Sequence, residues 1–492
     1  MLKSRLRILM VALTVTHQPV NAQLTHDTGE QPGNVRWQPC VNSDFRAWFD
    51  DEPPQGLLCG HVEAPLVYST NAQSSDVRLA LTRLPATGVK KGSVVFVSGG
   101  PGMPGINPYL SNDRTVDRLK ESYDIIGYDP RGAGQSVPKI SCAFPDLDAP
   151  PSFADGGIAE PEASLRQVIA ACISQSGAQV LKHIGTHEAV NDLNMIRAAL
   201  GEPSLTAVAY SYGTLVAGLY AERFPEKTRA MVLDGVVDLS EDNYTQQLNQ
   251  ARSYQQTFQR FVTYCARTPH CPLPGDESRA VDAFHRILHH LNEDPLITQE
   301  GDEINGDDLF TATHGLLLWP HRWPDLIALL QNANARTGDE QVAALIDENT
   351  SLNGDALSVI TCADTATPDA DIKVLHKQRQ EIGAAWPFTN YMAAEEWPLE
   401  MCDLWPFQGT FHAHTPVVSP MLPPLLFVGQ RYDATTPYVN AQQMAKVFRS
   451  PLITREGDGH TLVLHGIDRC VDEAVVDYLL MPEEGAGDKT CR

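Results

Sequence analysis

The sequence predicts an α/β fold: a mostly parallel central sheet with helices on both faces and an inserted helical lid domain. Three observations predict it. Short apolar, β-branched runs bounded by turn residues recur along the first half of the chain, as in HVEAPLVYS, DVRLALTRL, GSVVFVSGG, YDIIGYDPR, LTAVAYS and AMVLDGV. Helical patterns stand between them, at 187–200 (HEAVNDLNMIRAAL) and 214–223 (TLVAGLYAER). The alternation stops after Asp238 and resumes near Pro423 with PPLLFVGQ and SPLITREG. The expected organisation is therefore one α/β core made of 23–238 and 415–492, with 239–414 as a helical cap.

The first element is not part of that core. Residues 1–22 read as a secretory signal peptide, with Lys3, Arg5 and Arg7 ahead of the apolar stretch 8–15 and Val20-Asn21-Ala22 as the cleavage site. The stretch is too short for a bilayer, which takes about 20 residues. No later run is long enough for a membrane helix, so no membrane insertion is expected after cleavage. The 492 residues carry 61 acidic against 37 basic side chains, a net charge of −24. That balance argues against non-specific binding of nucleic acid and against anchoring on anionic lipid. All ten cysteines follow residue 22, and no Cys-x-x-Cys pair or zinc spacing joins them. An even count in an exported chain points to disulfides. Neighbour pairing closes the shortest loops: 40–59, 142–172, 265–271, 362–402 and 470–491.

Along the core, the two earliest runs alternate most strictly and fit an antiparallel edge. The strand GSVVFV runs into VFVSGGPGMPG, residues 95–105, whose Gly99 and Gly100 allow close backbone approach. This loop lacks the Gly-Lys-Ser ending of a phosphate-binding loop. After YDIIGY comes DPRGAGQS, 129–136, where Asp129 and Arg131 are expected to pair and hold the loop; a substrate role for Arg131 is the alternative.

Ser211 ends the strand LTAVAY and opens the helix GTLVAGLYAERF. That context presents a nucleophile on a sharp corner, which needs small residues two before and two after; here they are Ala209 and Gly213. A hydroxyl needs a base, and the base an orienting acid. In α/β-hydrolases these follow the serine as acid, then histidine. Asp433 lies on the loop after PPLLFVGQ and His460 on the loop after PLITREG, so all three fall at carboxyl ends of strands. The competing readings are Asp433 as a cap for the next helix, His465 as base from inside a following helix, and Asp458 as a partner on the same loop as His460. An oxyanion needs two converging N–H donors. Tyr212, after the nucleophile, supplies one; Gly100 supplies the other, because Pro101 has no N–H.

Taken with WQPC (37–40), GGPG (99–102), DPRGAGQS, DLNMIRAALGE (192–202), YSYGT (210–214), MVLDGVVD (231–238), CAD (362–364), CDLWP (402–406), GQRYDATTP (429–437) and GDGHT, these pieces resemble the tripeptidyl aminopeptidase branch of the proline iminopeptidase family of α/β-hydrolases. The likeness runs through most of the chain after residue 22. Two departures, Ser98 for the usual histidine and Ala209 for glycine, remove no catalytic group. The resemblance implies release of short peptides from free N-termini through an acyl-enzyme, with no metal or organic cofactor. It also implies that acids of the cap hold the substrate amine. Residues 239–414 carry 26 acidic against 10 basic residues, a charge of −16, which agrees physically. Asp364, Glu395 and Glu396, near Trp386 and Trp397, are the candidates, though no family residue maps onto them. Peptides with a free N-terminus are the expected partners. An esterase or amidase with the same three residues is the nearest alternative, and an inactive binding protein on this fold the alternative from another class.

Overall fold

Residues that are apolar on both sides of a strand can only sit in the middle of a sheet covered on both faces. In the computed structural model four such strands, β4 (Gly92–Val97), β5 (Tyr123–Tyr128), β6 (Leu205–Tyr210) and β7 (Thr228–Asp234), are buried almost end to end. The structure describes residues 35–68, 76–108, 110–143, 159–297, 303–337, 342–345, 354–389 and 399–492; the segment 1–22, expected from the sequence to be a signal peptide, lies outside them. Among the described residues the sheet has ten strands in the order β1-β2-β3-β5-β4-β6-β7-β10-β11-β12. The further strands are β1 (Gln38–Pro39), β2 (Leu58–Ala64), β3 (Val77–Leu84), β10 (Leu426–Tyr432), β11 (Leu452–Asp458) and β12 (Lys489–Cys491). The first three are antiparallel, and everything from β5 to β12 is parallel. β8 (Leu296–Ile297) and β9 (Glu303–Ile304) form a separate two-stranded ribbon.

Alternate residues of each central strand feed two cores. Val95, Val97, Ala207 and Ala209 face one side, against α3 (Thr186–Ala199), α4 (Tyr212–Arg223) and α11 (Tyr438–Val447). Val94, Phe96 and Val208 face the other, against α1 (Arg114–Ser122) and α12 (Arg469–Leu480). Between β7 and β10 the described residues are mainly helical: α5 (Asn243–Cys265), α6 (Glu277–Glu293), α7 (Gly306–Leu317) and α8 (Trp323–Ala335) bury a third core around Phe258, Phe284 and Phe388. Next come α9 (Asp355–Thr365) and α10 (Ile372–Ala385). α9 packs with Trp405 and the disulfide-bonded end of α2 (Ala159–Ser176). The segment closes on itself where the His414 N–H donates to the Leu239 carbonyl at 2.8 Å.

The cysteines pair as neighbours along the chain, 40–59, 142–172, 265–271, 362–402 and 470–491. Disulfides of this kind persist in oxidising compartments. Among the described residues no helix is long and apolar enough to cross a membrane.

The expected Asp129–Arg131 pair is not formed. Arg131 instead makes a bidentate pair with Asp192 of α3, at 2.6 and 2.5 Å, and donates to the carbonyls of Leu66 and His183. Its donors are thereby spent inside the protein, which also leaves the alternative substrate role without a group to serve it. Asp129 accepts from the N–H groups of Gly105, Ile106 and Gln135, so it fixes the glycine-rich loop from below. Both partners of the Arg131–Asp192 pair are 1% exposed. Breaking a buried pair strands an uncompensated charge, so Asp192→Asn is expected to cost about 3–5 kcal/mol, read from urea unfolding with the disulfides intact.

Candidate active site

Ser211 is the hinge residue between β6 and α4. It adopts φ 54°, ψ −125°, a left-handed conformation that side chains avoid unless the surroundings impose it. Packing imposes it here. A Cβ on Gly213 would lie 2.4 Å from the Val97 carbonyl oxygen, so only glycine lets α4 start this close to β4. On the other side a Cβ on Gly99 would fall 2.8 Å from Ser211 Cβ and 3.4 Å from its Oγ. The glycine-rich loop thus lies directly over the serine. Neither the Gly100 nor the Tyr212 N–H donates to a backbone carbonyl among the described residues.

Asp433 follows β10 and is 4% exposed. Its carboxylate accepts from the N–H groups of Thr435 and Thr436, both at 2.8 Å, and from Thr436 Oγ1 at 3.0 Å. The rest of its capacity goes to His460, whose Nδ1 lies 3.0 and 2.9 Å from the two carboxylate oxygens. A carboxylate only accepts, so Nδ1 carries the proton and Nε2 is left with a lone pair. Burial would pull the His460 imidazole down, but the charge and hydrogen bond of Asp433, aided by Asp234, outweigh it and hold the ring above its usual value. The expected partners Asp433 and His460 are therefore joined.

The other residues of these loops are engaged elsewhere. Asp458 is ion-paired with Arg260 of α5, Nη2 to Oδ2 at 2.7 Å. His465 lies in a turn before α12, which begins only at Arg469, and stacks on Tyr210 with ring centroids 5.3 Å apart. The helix placed around His465 from the sequence is a turn because Leu464 takes a left-handed φ of 63° and Asp472 caps its N–H.

Asp234, missed as a site residue in the sequence, ties the two halves together. Its carbonyl accepts the Ser211 N–H at 2.9 Å, while its carboxylate accepts the N–H groups of Leu462 and Val463 at 2.6 and 2.8 Å. The serine corner and the histidine loop thus hang from the last residue of β7. The ring of His460 rests over the next residue: a Cβ on Gly235 would lie 3.0 Å from His460 Cε1. A buried acid at a strand's carboxyl end, in LDG, was the signal that could have pointed to it. Also unforeseen are Tyr254 and His314 of the inserted helices. They stack at 4.1 Å, and the Tyr254 hydroxyl accepts from Thr435 Oγ1 beside Asp433.

Of the three acids expected for a substrate amine, Glu395 and Glu396 lie outside the described residues, as does Trp397. Asp364 is 4% exposed and faces the protein: it accepts from Thr186 N at 2.7 Å and Thr186 Oγ1 at 2.5 Å. Burial pushes its carboxyl up to about 7. Trp386 packs into the aromatic group around Tyr254.

Burial also pushes the Asp234 carboxyl from 3.8 up to about 6, against the two N–H bonds that favour its anion. Between those values the folded chain keeps a proton that the unfolded chain has released, so this group's contribution to stability falls as pH rises. Asp234→Asn abolishes that titration. Its stability relative to the native chain is expected to rise by about 3 kcal/mol between pH 4 and pH 7 in urea unfolding; a difference that does not move with pH would show the carboxyl ionised throughout.

Residues 92–466 match the family described as alpha/beta hydrolase fold. The protein YuaR of Escherichia coli is 43% identical over 470 residues, covering 93% of either chain. The serine protease Hip1 of Mycobacterium tuberculosis is 34% identical over 92% of this chain and 90% of its own. The tripeptidyl aminopeptidase of Streptomyces lividans is 29% identical over 93% of this chain and 86% of its own. A mostly parallel sheet with its serine corner, acid and histidine on loops at the carboxyl ends of β6, β10 and β11, together with these matches, places the chain in the α/β-hydrolase family, and it is a hydrolase of that fold.

Proposed function

We propose that this protein is an exported serine exopeptidase that releases short peptides, most often tripeptides, from free N-termini through an acyl-enzyme. The observation that carries the reading is the buried Asp433–His460 hydrogen bond, hung from the same β7 residue that anchors the Ser211 corner. In this reading His460 Nε2 takes the Ser211 hydroxyl proton as Oγ attacks the scissile carbonyl. Asp433 holds the ring in the tautomer that keeps Nε2 basic and stabilises the imidazolium. The N–H groups of Gly100 and Tyr212 receive the oxyanion, neither donating to a backbone carbonyl among the described residues. The departing amine collects its proton from His460, and water then cleaves the ester by the same steps in reverse order.

The exopeptidase part rests on different support. Two relatives that cover most of the chain are named as a serine protease and a tripeptidyl aminopeptidase. The inserted segment's charge of −16 favours an ammonium over a blocked terminus. Export rests on residues 1–22 and on the five disulfides.

Tripeptidyl amides with free and with acetylated N-termini test the reading. The free substrate is expected to have the higher kcat/KM, by tenfold or more at about 1.4 kcal/mol per decade. Equal rates would remove the aminopeptidase reading and leave an amidase or esterase. A fluorophosphonate probe is expected to label the native chain and not Ser211→Ala; a native chain that takes no label would dismiss the nucleophile.

The pH profile follows from the histidine. Because His460 titrates above its ordinary 6.5, kcat/KM is expected to rise with pH through that higher value as the ring loses its proton. Asp433→Asn removes the charge that raises it, so the acid limb is expected to move to lower pH, with kcat reduced on the order of 10³–10⁴-fold. An acid limb that stays in place would assign it to another group.

A further inference from the structure

We infer that Asp364 is a positioning residue for the serine corner, acting through Thr186 on Tyr212, and not a ligand for the substrate amine. The inference rests on the reading of Ser211 as nucleophile and of the Tyr212 N–H as an oxyanion donor. A hydrogen-bonded chain crosses from the inserted helix α9 to the first residue of α4. Asp364 accepts from the Thr186 N–H and hydroxyl, and the Thr186 Oγ1 lies 2.6 Å from the Tyr212 hydroxyl. When Asp364 is ionised, the Thr186 hydroxyl proton goes to its carboxylate and the Tyr212 hydroxyl donates to Thr186. The carboxylate sits at the first turn of α3, where the helix dipole favours an anion.

Both sides of the chain are locked. The end of α9 is bonded to the returning segment through Gly409 N to Ala366 O, Thr410 N to Ala363 O and Phe411 N to Asp364 O. The Cys362–Cys402 disulfide ties the same turn. A Cβ on Gly185, just before Thr186, would fall 2.5 Å from Asp364 Oδ1, so the helix and the carboxylate are in contact. A substrate amine arriving from solvent meets no open face of this carboxylate, which is 4% exposed.

The same helix also braces the other proposed donor. A Cβ on Gly102 would lie 2.8 Å from Ala356 Cβ and 3.3 Å from Ile360 Cδ1, both on α9. α9 therefore backs the glycine-rich loop with its first turns and Tyr212 with its last. Two N–H groups from distant parts of the core are held against a common support that neither strand β4 nor β6 provides. Displacing a group by about 1 Å costs on the order of a hundredfold in rate, so a lost support is visible in kinetics.

Four variants and two readouts test this. Asp364→Asn removes the charge, Tyr212→Phe removes only the hydroxyl, and Thr186→Val removes the link between them; Thr186→Ser restores it. The readouts are the fluorophosphonate labelling rate, which involves no amine, and separate kcat and KM for free and acetylated tripeptidyl amides. The three disruptive variants are expected to lower labelling and kcat by about ten- to a hundredfold, with KM unchanged for either substrate, and Thr186→Ser to stay near the native rate. Should Asp364→Asn not fold, Tyr212→Phe and Thr186→Val leave the carboxylate in place and carry the same expectation. Native labelling rates in these variants would overturn the inference. So would a KM raised by Asp364→Asn for the free amine alone, which would make Asp364 an amine ligand. A native chain that takes no label would overturn the nucleophile reading, and this role with it.

Discussion

The site depends on one buried residue at the end of β7. Asp234 uses its carbonyl to hold the Ser211 N–H and its carboxylate to hold the N–H groups after His460. Two chain segments separated by the whole helical insertion are joined there. The joint forms because β7 and β10 pair in parallel, Leu426 beside Val232 and Val428 beside Asp234, which lays the second segment against the first. The arrangement has a cost. Asp234 is fully buried, and its Oδ1 finds no hydrogen-bond partner among the described residues. A core that tolerates a half-satisfied carboxyl is exchanging stability for a fixed distance between serine corner and histidine loop.

The parts of this fold that were legible in the sequence are those fixed by local pattern. Strands β4 to β7 and β10 announce themselves as apolar runs because they are covered on both faces, while the half-exposed β11 is legible only from its start, Leu452–Thr454. The corner at Ser211 is legible because small residues at 209 and 213 and the switch from strand to helix are written side by side. The cysteines paired as neighbours because each pair closes a loop of 6 to 40 residues. What stayed hidden depends on partners far along the chain. β1 and β12, two and three residues long, carry no pattern of their own and pair only through β2 and β11, each beside a disulfide. Arg131 looks to its neighbour Asp129 in sequence, yet finds Asp192, 61 residues away, because α3 packs on that edge. Asp364 and Asp234 are acids whose spacing says nothing about which way they face.

The inserted helices are usually pictured as resting on such a core; here they are fastened to it near each element of the site. Arg260 holds Asp458 beside His460, Tyr254 accepts from Thr435 beside Asp433, and Asp364 reaches Thr186 and Tyr212 beside Ser211. These ties come from α5 and α9, and α5 also builds the insertion's own hydrophobic centre with α6, α7 and α8. The base and the upper core are continuous, since Tyr254 belongs to that core and also accepts from Thr435.

That division also bears on charge. The acids in the fastening contacts are neutralised by partners or buried with them: Asp403 takes Arg379, and Asp458 takes Arg260. With 26 acidic and 10 basic residues in 239–414, pairing inside the segment cannot absorb the excess. A surplus of this kind acts as a field that reaches about 8 Å at physiological salt, which enriches cations near the surface that carries it and is too diffuse to orient one. On the proposed function, attraction of an ammonium and precise seating of the scissile carbonyl are therefore separate tasks. The first belongs to the collective charge of the insertion and weakens with salt; the second belongs to the fixed contacts beneath it, which salt does not reach.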